Sequence, residues 1–146
     1  MLDFVTCTEC GRCQSQCPAW YTGKPLSPKL VIMDLRDELL QQSGRVLAGA
    51  AGKTAATGAT EQPTLVPRVI DPDVLWSCTT CGACVEQCPV DIEHVDAIID
   101  MRRYEVLIES RFPTEAGLML RNIENRGDPW GLGSSKRLDW TAGVDF

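Results

Sequence analysis

The residues of this chain best equipped for chemistry are its eight cysteines among 146 residues. All eight fall in two short runs. Cys7, Cys10, Cys13 and Cys17 precede Pro18, and Cys78, Cys81, Cys84 and Cys88 precede Pro89. Each run reads C-x2-C-x2-C-x3-C-P, the spacing of iron–sulfur ligation. The segments CTECGRCQSQCP and CTTCGACVEQCP are offset by 71 residues and agree at eight of twelve positions, an internal duplication around two equivalent sites. A four-iron cubane offers four corners on one compact body. Three of them can be met from a single tight turn whose backbone N–H groups face the sulfurs. Gly11 and Gly82, at matching places, let that backbone curl, and Pro18 and Pro89 turn the chain away afterwards. In two-cluster proteins with this run the fourth cysteine ligates the other cluster. The expected ligands are therefore Cys7, Cys10, Cys13 and Cys88 for cluster A, and Cys78, Cys81, Cys84 and Cys17 for cluster B, both [4Fe–4S].

Other cysteine chemistries fit less well. Zinc takes separated C-x2-C pairs and has no use for a third cysteine three residues on. Disulfides need an oxidising compartment, and the start, Met1-Leu2-Asp3-Phe4, lacks the basic and apolar regions of a secretory signal. A thioredoxin-like site needs one C-x-x-C, not two matched quartets. Gly52-Lys53-Thr54 imitates the tail of a phosphate-binding loop, but Leu47 stands where the motif requires glycine, so a surface loop is expected. No nucleophile is paired with a base. With 20 acidic and 14 scattered basic residues, net −6, the chain is not expected to bind nucleic acid. No apolar stretch approaches the roughly 18 residues of a membrane span.

The elements that must hold these runs read as helices. Ser27-Pro28 is an N-cap and first-turn pair, and Val31, Ile32, Leu35, Leu39 and Leu40 follow at helical spacing to about Gln42. Residues 43–62, rich in Ala, Gly and Thr, read as a mobile loop. Asp71-Pro72 opens a short helix through Val74, Leu75 and Trp76 into motif two, residues 78–89. The periodicity then predicts a long helix over 92–110 and another from Pro113-Thr114 to about Glu124, stopped by Gly127, with a tail over 126–146. No segment alternates, so an all-α fold with little or no sheet is expected, as one domain over residues 1–146. His94 is expected on an exposed helix end, and Trp20, Trp76, Trp130 and Trp140 are expected to pack over the clusters and helices.

Together, the first cysteine run with Ala19-Trp20, the L-S-P-K-L helix start, the W-S-C-T-T-C-G-A-C-V-E-Q-C-P-V-D-I-E-H-V-D segment and N-R-G-D-P-W-G at 125–131 carry a family resemblance. The chain resembles the iron–sulfur domain of heterodisulfide-reductase-related membrane oxidoreductases, most nearly the electron transfer flavoprotein:menaquinone oxidoreductases of actinobacteria. The resemblance implies an α-helical ferredoxin fold. It further implies a flavoprotein electron donor serving fatty acid β-oxidation, and a membrane quinone-reducing unit on the same parent polypeptide at the cytoplasmic side of the cell membrane. Members of that family carry a membrane segment before this domain and paired-cysteine domains after it, so the chain is expected to be the middle segment of a longer protein. Their quinone and haem sites match nothing here.

The expected function is an electron-transfer module within an oxidoreductase, with no substrate pocket of its own. Each oxidised cluster with four thiolates adds two negative charges, taking the loaded domain from −6 to about −10 and favouring a basic docking face. Motif one has Glu9 and Arg12 where motif two has Thr80 and Ala83, and motif two has Glu86 where motif one has Ser15, so the charge is more positive around motif one and cluster A is expected to have the higher potential. Alternatives are a lactate, glycolate or glycerol phosphate oxidising flavoenzyme, a heterodisulfide-reductase-like complex, or a structural or sensory scaffold.

Overall fold

The computed structural model describes residues 2–50 and 64–143. No strand occurs among them, and the fold is all-α. The chain divides into two compact units, Met1–Tyr104 and Glu105–Phe146, and all eight cysteines belong to the first.

In the first unit α1 (Leu2–Thr6) leads into motif one. The motif carries α2 (Arg12–Ser15) and runs into α3 (Pro18–Tyr21). α4 (Pro28–Ala50) is the longest element. Its start is fixed as the sequence suggests: Ser27 is 1 % exposed, and its Oγ accepts from Leu30 N–H at 3.3 Å while donating to Gln14 Oε1 at 2.7 Å. That side chain ties the helix start to the motif helix α2.

The expected loop over 43–62 is corrected in its first part, because α4 continues through residues 43–50. Ala and Leu are strong helix formers, and at Leu47, Ala48 and Ala50 they act against Gly44 and Gly49, each of which costs about 1 kcal/mol relative to Ala. The remainder of that loop, with Gly52-Lys53-Thr54, lies outside the described residues.

α5 (Leu65–Arg68) and α6 (Pro72–Trp76) lead into motif two. Asp71 caps α6 by accepting from Asp73 N–H at 2.7 Å. α7 (Ala83–Glu86) is the motif-two counterpart of α2, and α8 (His94–Leu107) follows. α2 packs on α3, α4 and α7, and α1 packs on α4. The core joins Leu26, Val31 and Leu35 to Val66, Ile70, Leu75, Ile98 and Met101, and Cys17 and Ala19 belong to it.

Two expectations about side chains fail here. His94 is 2 % exposed, because it stands four residues before Ile98 and seven before Met101 on the buried stripe of α8. Of the tryptophans only Trp76 packs against the core; Trp20, Trp130 and Trp140 are 42 %, 78 % and 69 % exposed.

In the second unit α9 (Thr114–Arg126) ends at Gly127, whose φ of 72° is the left-handed conformation that glycine supplies without strain. No residue of α9 is buried. The loop after it is organised by Asp128, whose carboxylate accepts from the N–H groups of Trp130, Leu132 and Gly133 at 2.9, 3.0 and 2.6 Å. The expected tail is partly ordered as a 3₁₀ helix, Ser134–Thr141. Among the described residues no helix is long and apolar enough to cross a membrane.

Candidate metal centre

The duplication in sequence is also a duplication of backbone. Gly11 has φ 80° and ψ 0°, and Gly82, 71 positions later, has φ 77° and ψ −5°. Two residues earlier in each motif, Glu9 and Thr80 adopt φ 57° and 55°, a conformation that non-glycine residues avoid. Two left-handed residues flanking Cys10 and Cys81 fold each motif into the same concave turn. Glycine announces half of that turn in the sequence. Glu9 and Thr80 give no local signal of the other half.

The turns aim main-chain donors at sulfur. Thr80 N–H donates to Cys78 Sγ at 3.3 Å. The backbone N–H of Arg12 faces Cys10 and holds its thiol below the usual range, with a smaller contribution from the Arg12 charge. All eight cysteines are unbridged thiols.

Cys7, Cys10, Cys13 and Cys88 line one recess, together with Lys29, Ile92 and His94. Burial pushes the Cys13 thiol up, and charge on Cys7, Cys10 and Cys88 would raise it further. In the second set burial pushes Cys84 up to about 11, with added contributions from Cys78 of its own motif and Cys17 of the other. Cys13, Cys17 and Cys84 are each at most 7 % exposed, whereas Cys10 and Cys81 stand at the surface. Each set thus has a buried thiol, an exposed thiol and a neighbour from the opposite motif.

These features fit an iron–sulfur cluster. Thiolates are its ligands, N–H groups directed at sulfur stabilise their charge, and thiols spread around a recess suit a multinuclear body. His94 supplies the recess with a wall, its Nδ1 hydrogen-bonded to the Ile92 carbonyl at 2.7 Å, and burial holds its pKa below the ordinary value. Lys29 is a cation beside the cysteines that sequence reasoning did not single out. Its only signal is its place one residue into α4 after Pro28.

Residues 6–92 match the family described as 4Fe-4S dicluster domain, and the chain belongs to that family. It is an iron–sulfur electron-transfer module carrying two [4Fe–4S] clusters, of the kind found within oxidoreductases. The chain is similar to the probable iron-sulfur-binding oxidoreductase FadF of Bacillus subtilis, at 39 % identity over 96 % of this chain and 23 % of that protein. It is also similar to a probable membrane-anchored ferredoxin of Chromohalobacter salexigens, at 40 % identity over 100 % of this chain and 23 % of that protein. A third relative is the EtfAB:quinone oxidoreductase of Syntrophomonas wolfei, at 36 % identity over 96 % of this chain and 21 % of that protein. The chain therefore spans less than a quarter of the length of these relatives. No solved structure matches it.

Proposed function

We propose that this chain is the dicluster relay of an oxidoreductase that takes electrons from a reduced electron transfer flavoprotein and delivers them toward menaquinone. The observation that carries the reading is the gathering of thiols from both motifs, with Cys88 on the recess of Cys7, Cys10 and Cys13. That gathering supports cluster A on those four residues and cluster B on Cys78, Cys81, Cys84 and Cys17. The likeness to an EtfAB:quinone oxidoreductase supports the donor and acceptor class. The quinone site and the membrane part would lie on the same parent polypeptide, with this segment on the cytoplasmic side.

When bound, the two clusters supply one-electron storage and outer-sphere transfer. The chain's own residues do the rest. The left-handed turns at Glu9–Gly11 and Thr80–Gly82 would let the three thiolates of each motif meet one cluster. Buried Cys13, Cys17 and Cys84 keep water from one side of each site, and exposed Cys10 and Cys81 bring the other side within reach of a partner. Lys29 sets an ammonium beside the first quartet. The acidic surface, net −6 before clusters are counted, steers a basic donor face.

Two measurements test this. In the anaerobically purified chain, Cys17→Ser should alter the same paramagnetic signal as Cys81→Ser, and Cys88→Ser the same signal as Cys10→Ser. Pairing within each motif instead would overturn the crossed ligation. Stopped-flow mixing with reduced electron transfer flavoprotein should then reduce the clusters in the full parent protein faster than a reduced lactate or glycolate flavoenzyme does. Equal or reversed rates would move the chain to one of the other flavoenzyme classes.

A further inference from the structure

Arg102, on α8, reaches back across the chain to the entrance of motif two. Its Nη2 donates to the carbonyls of Leu75 and Cys78, each at 2.7 Å, and its Nε donates to Leu75 at 3.2 Å. The guanidinium carbon lies 5.0 Å from the centroid of the Trp76 ring. One cation therefore grips the last turn of α6, stacks on its tryptophan and holds the main chain of the first motif-two cysteine. Lysine cannot do this, because it lacks the planar fork that donates in two directions while one face rests on an aromatic ring.

The charge is as informative as the grip. Arg36 on α4, which reaches motif one, is by contrast matched by carboxylates: it meets Glu9 at 2.8 Å and Asp37 at 3.1 Å. No carboxylate among the described residues forms an ion pair with Arg102. Its partners are neutral carbonyls and a ring, and the side chain is half-buried, so no carboxylate offsets its positive charge beside whatever Cys78 holds.

We infer that Arg102 is a positioning residue for the motif-two cluster, fixing the Cys78 backbone and setting a positive charge that favours the reduced state. Reduction adds one electron from the flavoprotein donor, and no bond to Arg102 forms or breaks. The added negative charge is stabilised by the guanidinium, which raises the midpoint potential of that site relative to a neutral side chain. The inference rests on motif two holding a cluster, and not on which cysteine is its fourth ligand.

The test is redox titration of the anaerobically purified wild-type chain and its Arg102→Gln and Arg102→Lys variants, followed by paramagnetic resonance with iron counted per chain. The motif-two signal is the one altered in Cys81→Ser. Arg102→Gln with full iron should weaken reduction of that site at least tenfold, which is 59 mV for one electron, and move the other site less. Arg102→Lys, which keeps the charge without the fork, should recover part of that loss. Unmoved midpoints in Arg102→Gln overturn the inference and leave the clusters standing. If Arg102→Gln does not retain iron, recovery of both signals in Arg102→Lys supports it, and iron loss in both variants overturns it as a redox effect. Wild-type protein lacking a motif-two signal at full iron would instead defeat the cluster reading itself.

Discussion

Glu38 and Arg68 tie the middle of α4 to the short helix that leads into motif two, and their loss should be unequal. Glu38 is 9 % exposed and accepts Arg68 Nη1 at 2.9 Å, Arg68 Nη2 at 2.5 Å and Gln42 Nε2 at 3.0 Å. The Arg68 side chain is 35 % exposed. Removing one partner of a fully buried pair costs about 3–5 kcal/mol. Here water reaches the arginine side and Gln42 remains a donor, so Arg68→Ala should cost about 2 kcal/mol, chiefly by stranding the buried carboxylate. Glu38→Gln leaves an arginine that can turn to water and keeps one acceptor, so it should cost about 1 kcal/mol. For a chain of this length about 1 kcal/mol moves the thermal midpoint by roughly 2–4 °C. Anaerobic thermal melts at one heating rate, read by helical circular dichroism and cluster absorbance, should show falls of about 4–8 °C and about 2–4 °C respectively. Glu38→Gln costing as much as Arg68→Ala would refute the reasoning, because the buried acid would then not be the group that is stranded.

Gly11→Ala and Gly82→Ala should each lose about 1–2 kcal/mol, and by nearly the same amount, because φ is 80° and 77° and no heavy atom lies within 4 Å of either added Cβ. Melts of the two variants that differ by more than about 1 kcal/mol would show that the matched turns are not energetically equivalent. At Asp128 burial pushes the carboxyl up, but N–H bonds from Gly133, Leu132, Gly131 and Trp130 outweigh it and hold the group below the usual 3.8. Its folded value thus lies below its unfolded one, so its support for the loop is full above the ordinary carboxylate range and fades as pH falls through the folded value. Amide shifts of Leu132 and Gly133 should titrate together in acid and lose that transition in Asp128→Asn; a transition persisting in the variant would assign it elsewhere.

What could be read from the sequence was local. A cysteine motif, a Pro at a helix start and a Gly at a helix end each act within a few residues, and the two motifs, α4, α6 and α9 begin or end where those signals stand. His94 was readable too, since its spacing to Ile98 and Met101 puts it on the buried stripe; a histidine near a helix end simply invites the opposite guess. Tyr104 and Leu107 share the apolar period of α8, yet they are 45 % and 74 % exposed. Periodicity identifies a face and not what covers it. Arg102 was beyond sequence reasoning altogether, because its partners lie 24 and 27 residues away and a carbonyl has no residue type to recognise.

The duplicated motifs also constrain how the first unit can fold. Their helices, α2 and α7, pack on one another, and Cys17 is both a member of the hydrophobic core and a neighbour of Cys84. Folding brings together thiols that are mutually unfavourable once ionised: charge on Cys7, Cys10 and Cys88 raises Cys13, and charge on Cys78 and Cys17 raises Cys84. While the thiols stay protonated that repulsion is absent, and hydrophobic burial around Leu26, Leu35 and Leu75 holds the unit together. Metal ligands must be deprotonated, so cluster insertion both releases those protons and supplies the positive iron that makes the gathered thiolates favourable. On the crossed ligation proposed here, either cluster holds both halves of the duplication. The protein would then gain its electron carriers and the last part of its stability in the same step.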